Sequence, residues 1–112
     1  MNKLLTLATG ITASATQTQV GATGLTRNIN IVTSAGTTGD SVRLPDAVAG
    51  LTVEIVNTTG YQLNVFPASG DIVGVGSSAN ANVTLQGYYM AHCIAYDSTH
   101  WIYSQQAVYY AD

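Results

Sequence analysis

From Ile29 onward the chain runs in short apolar and polar alternations, each too brief for a helix and each closed by turn residues. β-Branched and aromatic residues dominate these runs, and glycines at 36, 39, 50, 60, 70, 74, 76 and 87 punctuate them. This rhythm predicts strands over 29–33, 41–44, 51–57, 62–66, 72–75, 82–86, 88–96 and 101–106. Successive side chains of a strand point to opposite faces, so Val53 and Ile55 share one face while Thr52, Glu54 and Val56 share the other. In the next run, Leu63 and Val65 alternate with Gln62, Asn64 and Phe66. Between the two, Asn57-Thr58-Thr59-Gly60 predicts a hairpin loop with Gly60 free to take positive φ. Proline has no N–H for a ladder, so Pro45 after Leu44 and Pro67 after Phe66 mark strand ends. No long stripe of period 3.6 competes with this reading.

Residues 1–27 differ in character. They are rich in Thr, Ala, Gly and Gln, and larger apolar side chains such as Leu4, Leu5, Leu7, Ile11 and Val20 follow little period. The expected organisation is therefore an extended N-terminal arm over 1–27 and a single β-domain over 28–112, built as a small β-sandwich or barrel-like fold. Leu4, Leu5, Leu7, Ile11, Gln17, Gln19 and Val20 are the candidate contact residues of that arm, which needs a partner surface on which to gain order. The start of the chain imitates a secretory signal, with Lys3 before a leucine cluster and Ala13-Ser14-Ala15 behind it, but Thr6, Thr9 and Gly10 dilute the apolar stretch.

Composition sharpens the class. Only 8% of the 112 residues are charged while 46% are apolar, so few charges keep copies of the chain apart. That balance, the abundance of Tyr and the short length lead to an expected symmetric oligomer. Lys3, Arg27 and Arg43 are the strong bases, too few for a phosphate-binding footprint, which argues against nucleic acid as a partner. No stretch approaches the roughly 20 apolar residues of a membrane-spanning helix, and no membrane partner is expected. Cys93 stands alone, which leaves it a buried structural thiol.

Candidate chemistry is sparse. His92 and His100 lack the spacing that places two imidazoles on one metal ion. Asp97, Ser98 and His100 contain the residue types of a hydrolase triad, yet such close neighbours on one loop cannot easily line up as orienter, base and nucleophile. Asp40, Asp46, Glu54, Asp71 and Asp97 are scattered singly, and the aspartates read as turn caps. Gly74-Val75-Gly76 has no helix or Gly-Lys-Ser/Thr ending behind it, so it reads as a bulged strand end. Asn57-Thr58-Thr59 and Asn82-Val83-Thr84 match a glycosylation acceptor pattern that is common by chance. No catalytic, metal-binding or cofactor-binding residue is assigned, and a non-enzymatic role is expected. Tyrosines at 61, 88, 89, 96, 103, 109 and 110 suit a subunit interface or a sugar platform, where one side is apolar and the hydroxyl stays wet.

One string of residues carries a resemblance. Gly39-Asp40-Ser41-Val42-Arg43-Leu44-Pro45, Ala49-Gly50, Val53 to Asn57, Val65-Phe66-Pro67-Ala68-Ser69-Gly70-Asp71 and Ala95-Tyr96-Asp97-Ser98 before Trp101 resemble a β-domain recurrent in tailed-phage virion proteins. Gln17 to Thr26 resembles the lead-in segment of that domain. The resemblance implies a trimeric structural protein without an active site, of the kind found as capsid decoration (cement) proteins and fibre-associated domains. Within it Pro45 and Pro67 end strands, Gly50, Gly60 and Gly70 with Asp71 serve turns, and Trp101 anchors the core. With an arm, one domain and no shaft repeats or heptads, the expected role is decoration of the outer head surface, the major capsid protein being the partner. The alternative is a receptor-binding or fibre-tip domain that recognises a host glycan.

Overall fold

A computed structural model of the chain describes residues 6–108, which contain strands and turns but no helix. The strands are β1 (Leu7–Thr12), β2 (Thr23–Gly24), β3 (Ile29–Ser34), β4 (Ser41–Arg43), β5 (Thr52–Asn57), β6 (Leu63–Phe66), β7 (Ile72–Val73), β8 (Val83–Leu85), β9 (Tyr89–Ala95) and β10 (His100–Ala107). They form two sheets, one of six strands ordered β1-β3-β5-β9-β10-β7 and one of four ordered β2-β4-β6-β8. From β1 to β6 the chain alternates between the sheets. Because β1, β3 and β5 are parallel neighbours, as are β2, β4 and β6, each turn of the chain lays one strand on each sheet before stacking on the previous turn. Parallel neighbours cannot be joined by a tight hairpin, and here a strand of the opposite sheet makes the crossover. Antiparallel β8, β9 and β10 then close the structure, with β7 parallel to β10 at the far edge.

The alternation read from the sequence places the core between the sheets. Val53, Ile55, Ala91, Cys93 and Trp101 come from the larger sheet, Val42, Leu63, Val65 and Leu85 from the smaller, and all are buried in one cluster. Trp101 is only 1% exposed and is the largest of the fully buried side chains. Burying a side chain of this size contributes several kcal/mol of transfer free energy.

Two expectations about connectivity are corrected. β5 and β6 do not form a hairpin: β5 lies between β3 and β9, and β6 lies between β4 and β8 in the other sheet. The intervening turn carries the chain across the core, and Asn57 makes that possible. Its buried side chain donates to the carbonyls of Tyr61 (2.8 Å) and Gln86 (3.1 Å) and accepts from the N–H of Thr59 (3.0 Å). Gly60 is not among the residues of positive φ. The close approach is instead at Gly87, where a Cβ would meet the Gly60 carbonyl at 2.7 Å, and the next residue, Tyr88, takes φ of 63°.

The arm is the second correction. Of residues 1–27, those described are built into the fold: β1 pairs with β3, β2 pairs with β4, and Ala13, Ala22 and Leu25 are buried. Small side chains explain in part why this was not legible as core, since two of these three buried residues are alanines and no apolar stripe marks them. Leu4 and Leu5, also assigned to the arm, lie outside the described residues.

Buried polar groups hold the corners between turns of the winding. Asn30 donates to the carbonyls of Arg27 (2.8 Å) and Glu54 (3.2 Å), linking successive turns. Asp40 accepts from the N–H groups of Gly36 (2.7 Å) and Thr37 (3.3 Å), and Asp71 accepts from the N–H of Ala47 at 3.0 Å. A buried carboxylate or amide without such partners would cost several kcal/mol. β4 ends at Arg43 before Leu44-Pro45 and β6 ends at Phe66 before Pro67, while Gly50 and Gly70 have φ of 90° and 86° in the turns that follow.

Candidate functional site

The two sheets turn different surfaces to solvent. On the four-stranded sheet the outward positions are Gly24, Ser41, Arg43, Asn64, Phe66 and Thr84, a mostly polar set. The segment after β1 covers part of it. A bridge joins Ser14 to Ser41, Gln17 donates to the carbonyl of Thr38 (2.9 Å), and Gln19 donates to the carbonyl of Pro67 (2.8 Å) and the side chain of Asn80 (3.1 Å). Arg43 reaches back to the carbonyls of Gln19 (2.9 Å), Ala22 (3.2 Å) and Val20 (3.3 Å), so its charge is spent on holding this segment in place. Ser41 and Phe66 are buried as a result.

The outward face of the six-stranded sheet carries apolar side chains interleaved with polar Thr52, Glu54, His92, Ser104 and Gln106. Residues opposite one another across the ladder place Leu7 beside Ile29, Ile31 beside Val56, Val56 beside Met90, and Ile94 beside Ile102 on this side. Leu7 is 60% exposed and Ile102 is 43% exposed, and the others are half-buried by their neighbours. At the centre, Glu54 on β5 stands opposite His92 on β9, with Nδ1 of His92 3.2 Å from Oε2 of Glu54. A shallow cleft of about 310 Å³ beside the pair is lined by Met90, His92, Ser104, Gln105 and Gln106. Contiguous apolar surface rimmed by polar groups marks a contact surface in soluble proteins.

The other titratable groups are structural in their geometry. Asp97 accepts from the N–H groups of Thr99 and His100, both at 2.8 Å, and lies 2.9 Å from Nδ1 of His100. The Thr99 N–H, then the His100 side chain, hold its carboxyl below the usual range. The Thr99 hydroxyl meets the same Nδ1 at 2.9 Å. A triad needs carboxylate and nucleophile on opposite ring nitrogens, whereas here both partners share one, so the turn closes on itself. Tyr96 stacks on His100 with ring centroids 5.4 Å apart. Inside the core, burial pushes the Cys93 thiol from 9.0 up to about 12. Burial likewise pushes the Tyr103 phenol up, while its hydroxyl donates to the Thr84 carbonyl at 3.0 Å and ties β10 to β8. Among the described residues no three His, Cys, Asp or Glu side chains gather as a metal-binding group.

The candidate residues of the arm separate under this geometry. Gln17 and Gln19 are engaged within the protomer, Ile11 is half-buried against the core, and Leu7 belongs to the apolar sheet face. Val20 is 89% exposed beside a second cleft of about 340 Å³ lined by Gln19, Val20, Arg43 and Ser69. The sheet face around Glu54 and His92 was not assigned from sequence. Alternation within each strand is the signal that could have grouped Ile29, Ile31, Val56, Ile94 and Ile102, but only the ladder shows that these residues adjoin. No family model, no curated protein and no solved structure matches the chain.

Proposed function

We propose that this chain is a non-enzymatic virion component, a homotrimeric decoration protein that binds the outer surface of a phage head and clamps capsid subunits. The observation that carries the reading is the set of apolar side chains on the outer face of the six-stranded sheet, Leu7 and Ile102 exposed among them, on a two-sheet β-domain whose chain is only 8% charged. Such a domain, read as a flattened sandwich, gains by covering that face in an assembly. Its mechanism is mass action. A ligand that binds the assembled shell and not its dissociated parts stabilises the shell, and three linked copies raise the effective concentration of each contact. The capsid-facing element is the exposed turn at Val20 together with the rest of the N-terminal winding.

A second reading, a glycan-binding fibre-tip domain, is favoured by one feature, the exposed Tyr96 stacked on His100 beside Asp97. Cosedimentation separates the two. Purified protein added to undecorated heads is expected to bind saturably and to raise the temperature at which they release their contents. Binding to host-surface glycan with no binding to heads would transfer the assignment to the fibre tip.

A further inference from the structure

Strand β10 is paired with β9 over residues 101–107, but β7 covers its other side only at His100 and Trp101. Along a strand the N–H and C=O of one residue point to the same side, and those of its neighbours to the other. The Trp101 carbonyl accepts from the N–H of Gly74 (3.0 Å) on the β7 side. On the β9 side the His100 carbonyl accepts from Tyr96 (3.1 Å) and the Val108 N–H donates to the Tyr88 carbonyl (3.0 Å). Tyr103, Gln105 and Ala107 therefore aim their backbone groups past the end of β7, where no strand among the described residues meets them. The chain turns away from this row at Gly74 and Gly76, whose φ are 93° and 88°.

The other edges are blunted. Register shifts break β1 between Ala8 and Thr12, and β2 and β7 have two residues each. The Thr84 carbonyl of β8 accepts from the Tyr103 hydroxyl (3.0 Å) and the Gln105 side-chain amide (3.1 Å). Bulges, short strands and cover are how sheets avoid pairing with other chains, whereas residues 102–107 of β10 have no bulge, proline or charge. At about 3.4 Å per residue this open stretch is roughly 17 Å long.

The cleft lined by Met90, His92, Ser104, Gln105 and Gln106 lies along the same stretch. An outward side chain of an added strand would stand beside Ser104 or Gln106 and reach it. With Nδ1 of His92 held by Glu54 at 3.2 Å, the other nitrogen of the neutral ring is an acceptor, and Glu54 supplies negative charge. No Lys or Arg lines the cleft, and the chain carries a net charge of −3. The backbone groups call for an extended peptide, and the cleft calls for a basic side chain on it. A second copy pairing through its own β10 would bring only Ile102, Ser104 and Gln106 to this face, none of them basic.

We propose that residues 102–107 of β10 form a strand-addition site for an extended segment of another protein, with a Lys or Arg of that segment seated at the cleft. The proposal goes beyond the decoration reading and does not depend on it. Amide hydrogen exchange of the full chain, followed residue by residue by magnetic resonance, is the test. In the free chain the Tyr103 and Gln105 amides are expected to exchange fast and those of Ile102 and Ser104 slowly. Protection at all four would overturn the proposal, and protection that fades on dilution would give the edge to a second copy instead. The probe is the peptide acetyl-Thr-Val-Thr-Val-Lys-Val-Thr-amide, expected to bind saturably and to protect Tyr103 and Gln105. Of two versions N-methylated at alternate amides, the one whose methyl groups face β10 is expected to lose binding roughly hundredfold and the other to keep it. Replacing the peptide's Lys by Glu should weaken binding several-fold, and Glu54→Gln in the protein should narrow that difference while leaving the fold intact. Absence of binding, binding without protection of Tyr103 and Gln105, or equal behaviour of the two methylated peptides would overturn strand addition. Equal binding of the Lys and Glu peptides would overturn the basic character of the partner.

Discussion

The inner faces of the two sheets are alike and their outer faces are not. Inside, both alternate toward one core of Val, Leu, Ile, Ala and Trp101. Outside, the four-stranded sheet is polar and is partly covered by the chain's own segment after β1, whereas the six-stranded sheet presents Leu7, Ile29, Ile31, Val56, Ile94 and Ile102. The difference teaches where the chain satisfies itself and where it does not. Arg43, Gln17 and Gln19 are committed to internal carbonyls, so the polar side is closed by its own hydrogen bonds. On the apolar side the described residues offer no such cover.

The largest test of this contrast removes the covering segment. Were residues 1–27 an arm outside the β-domain, a folded core would survive deletion of residues 1–25. The structure reverses it: the deletion takes away β1, β2 and Ala13, uncovers Ser41 and Phe66, and leaves the ladder groups of β3 and β4 unpaired. Thermal melting of the truncated protein is expected to show no cooperative transition, since the loss rivals the roughly 5–15 kcal/mol that stabilise a domain. A cooperative melt close to that of the full chain would mean that the first turn of the winding is dispensable.

Next in size is the shared core. Trp101→Ala is expected to cost about 3–5 kcal/mol, measured by denaturant unfolding, through lost burial and the cavity left behind. Arg43→Ala is smaller and confined to one side. Removing a charged donor to three carbonyls should cost about 1.5–3 kcal/mol and speed amide hydrogen exchange over 14–22 while the six-stranded sheet stays protected. Equal loss of protection in both sheets would contradict the division of the molecule drawn here.

The smallest effect at neutral pH concerns Cys93. Its thiol is neutral and buried in the folded chain, with the folded value near 12 above the ordinary 9.0. The folded state therefore holds the proton more tightly than the unfolded chain, and the stability this contributes is complete below pH 9.0 and lost as pH rises toward about 12. Thiol reagents near neutral pH should leave the native protein unmodified and label it only on unfolding. Rapid labelling of the folded chain would place Cys93 outside the core.

Much of the fold was legible because strand faces are a local property. Val53 with Ile55, and Leu63 with Val65, announce a buried face through alternation alone, and Leu44-Pro45 and Phe66-Pro67 place strand ends through a missing donor. Pairing is a different matter. Nothing within Asn57-Thr58-Thr59-Gly60 distinguishes a turn that reverses the chain inside one sheet from one that carries it to the other. The decision rests on Asn57 reaching Gln86, a partner far along the chain. The first turn of the winding was hidden for a related reason: Ala13 and Ala22 are core residues of a size that leaves no apolar signature. The sheet face at Glu54 and His92 needed the ladder itself, since its residues come from β1, β3, β5, β9 and β10.

Electron microscopy of the particle that carries this chain decides whether it decorates the head. Density for three copies is expected at three-fold or quasi-three-fold points of the head, with the Val20 turn toward the shell. Density at the tail, or single copies with the apolar sheet face open to solvent, would contradict it.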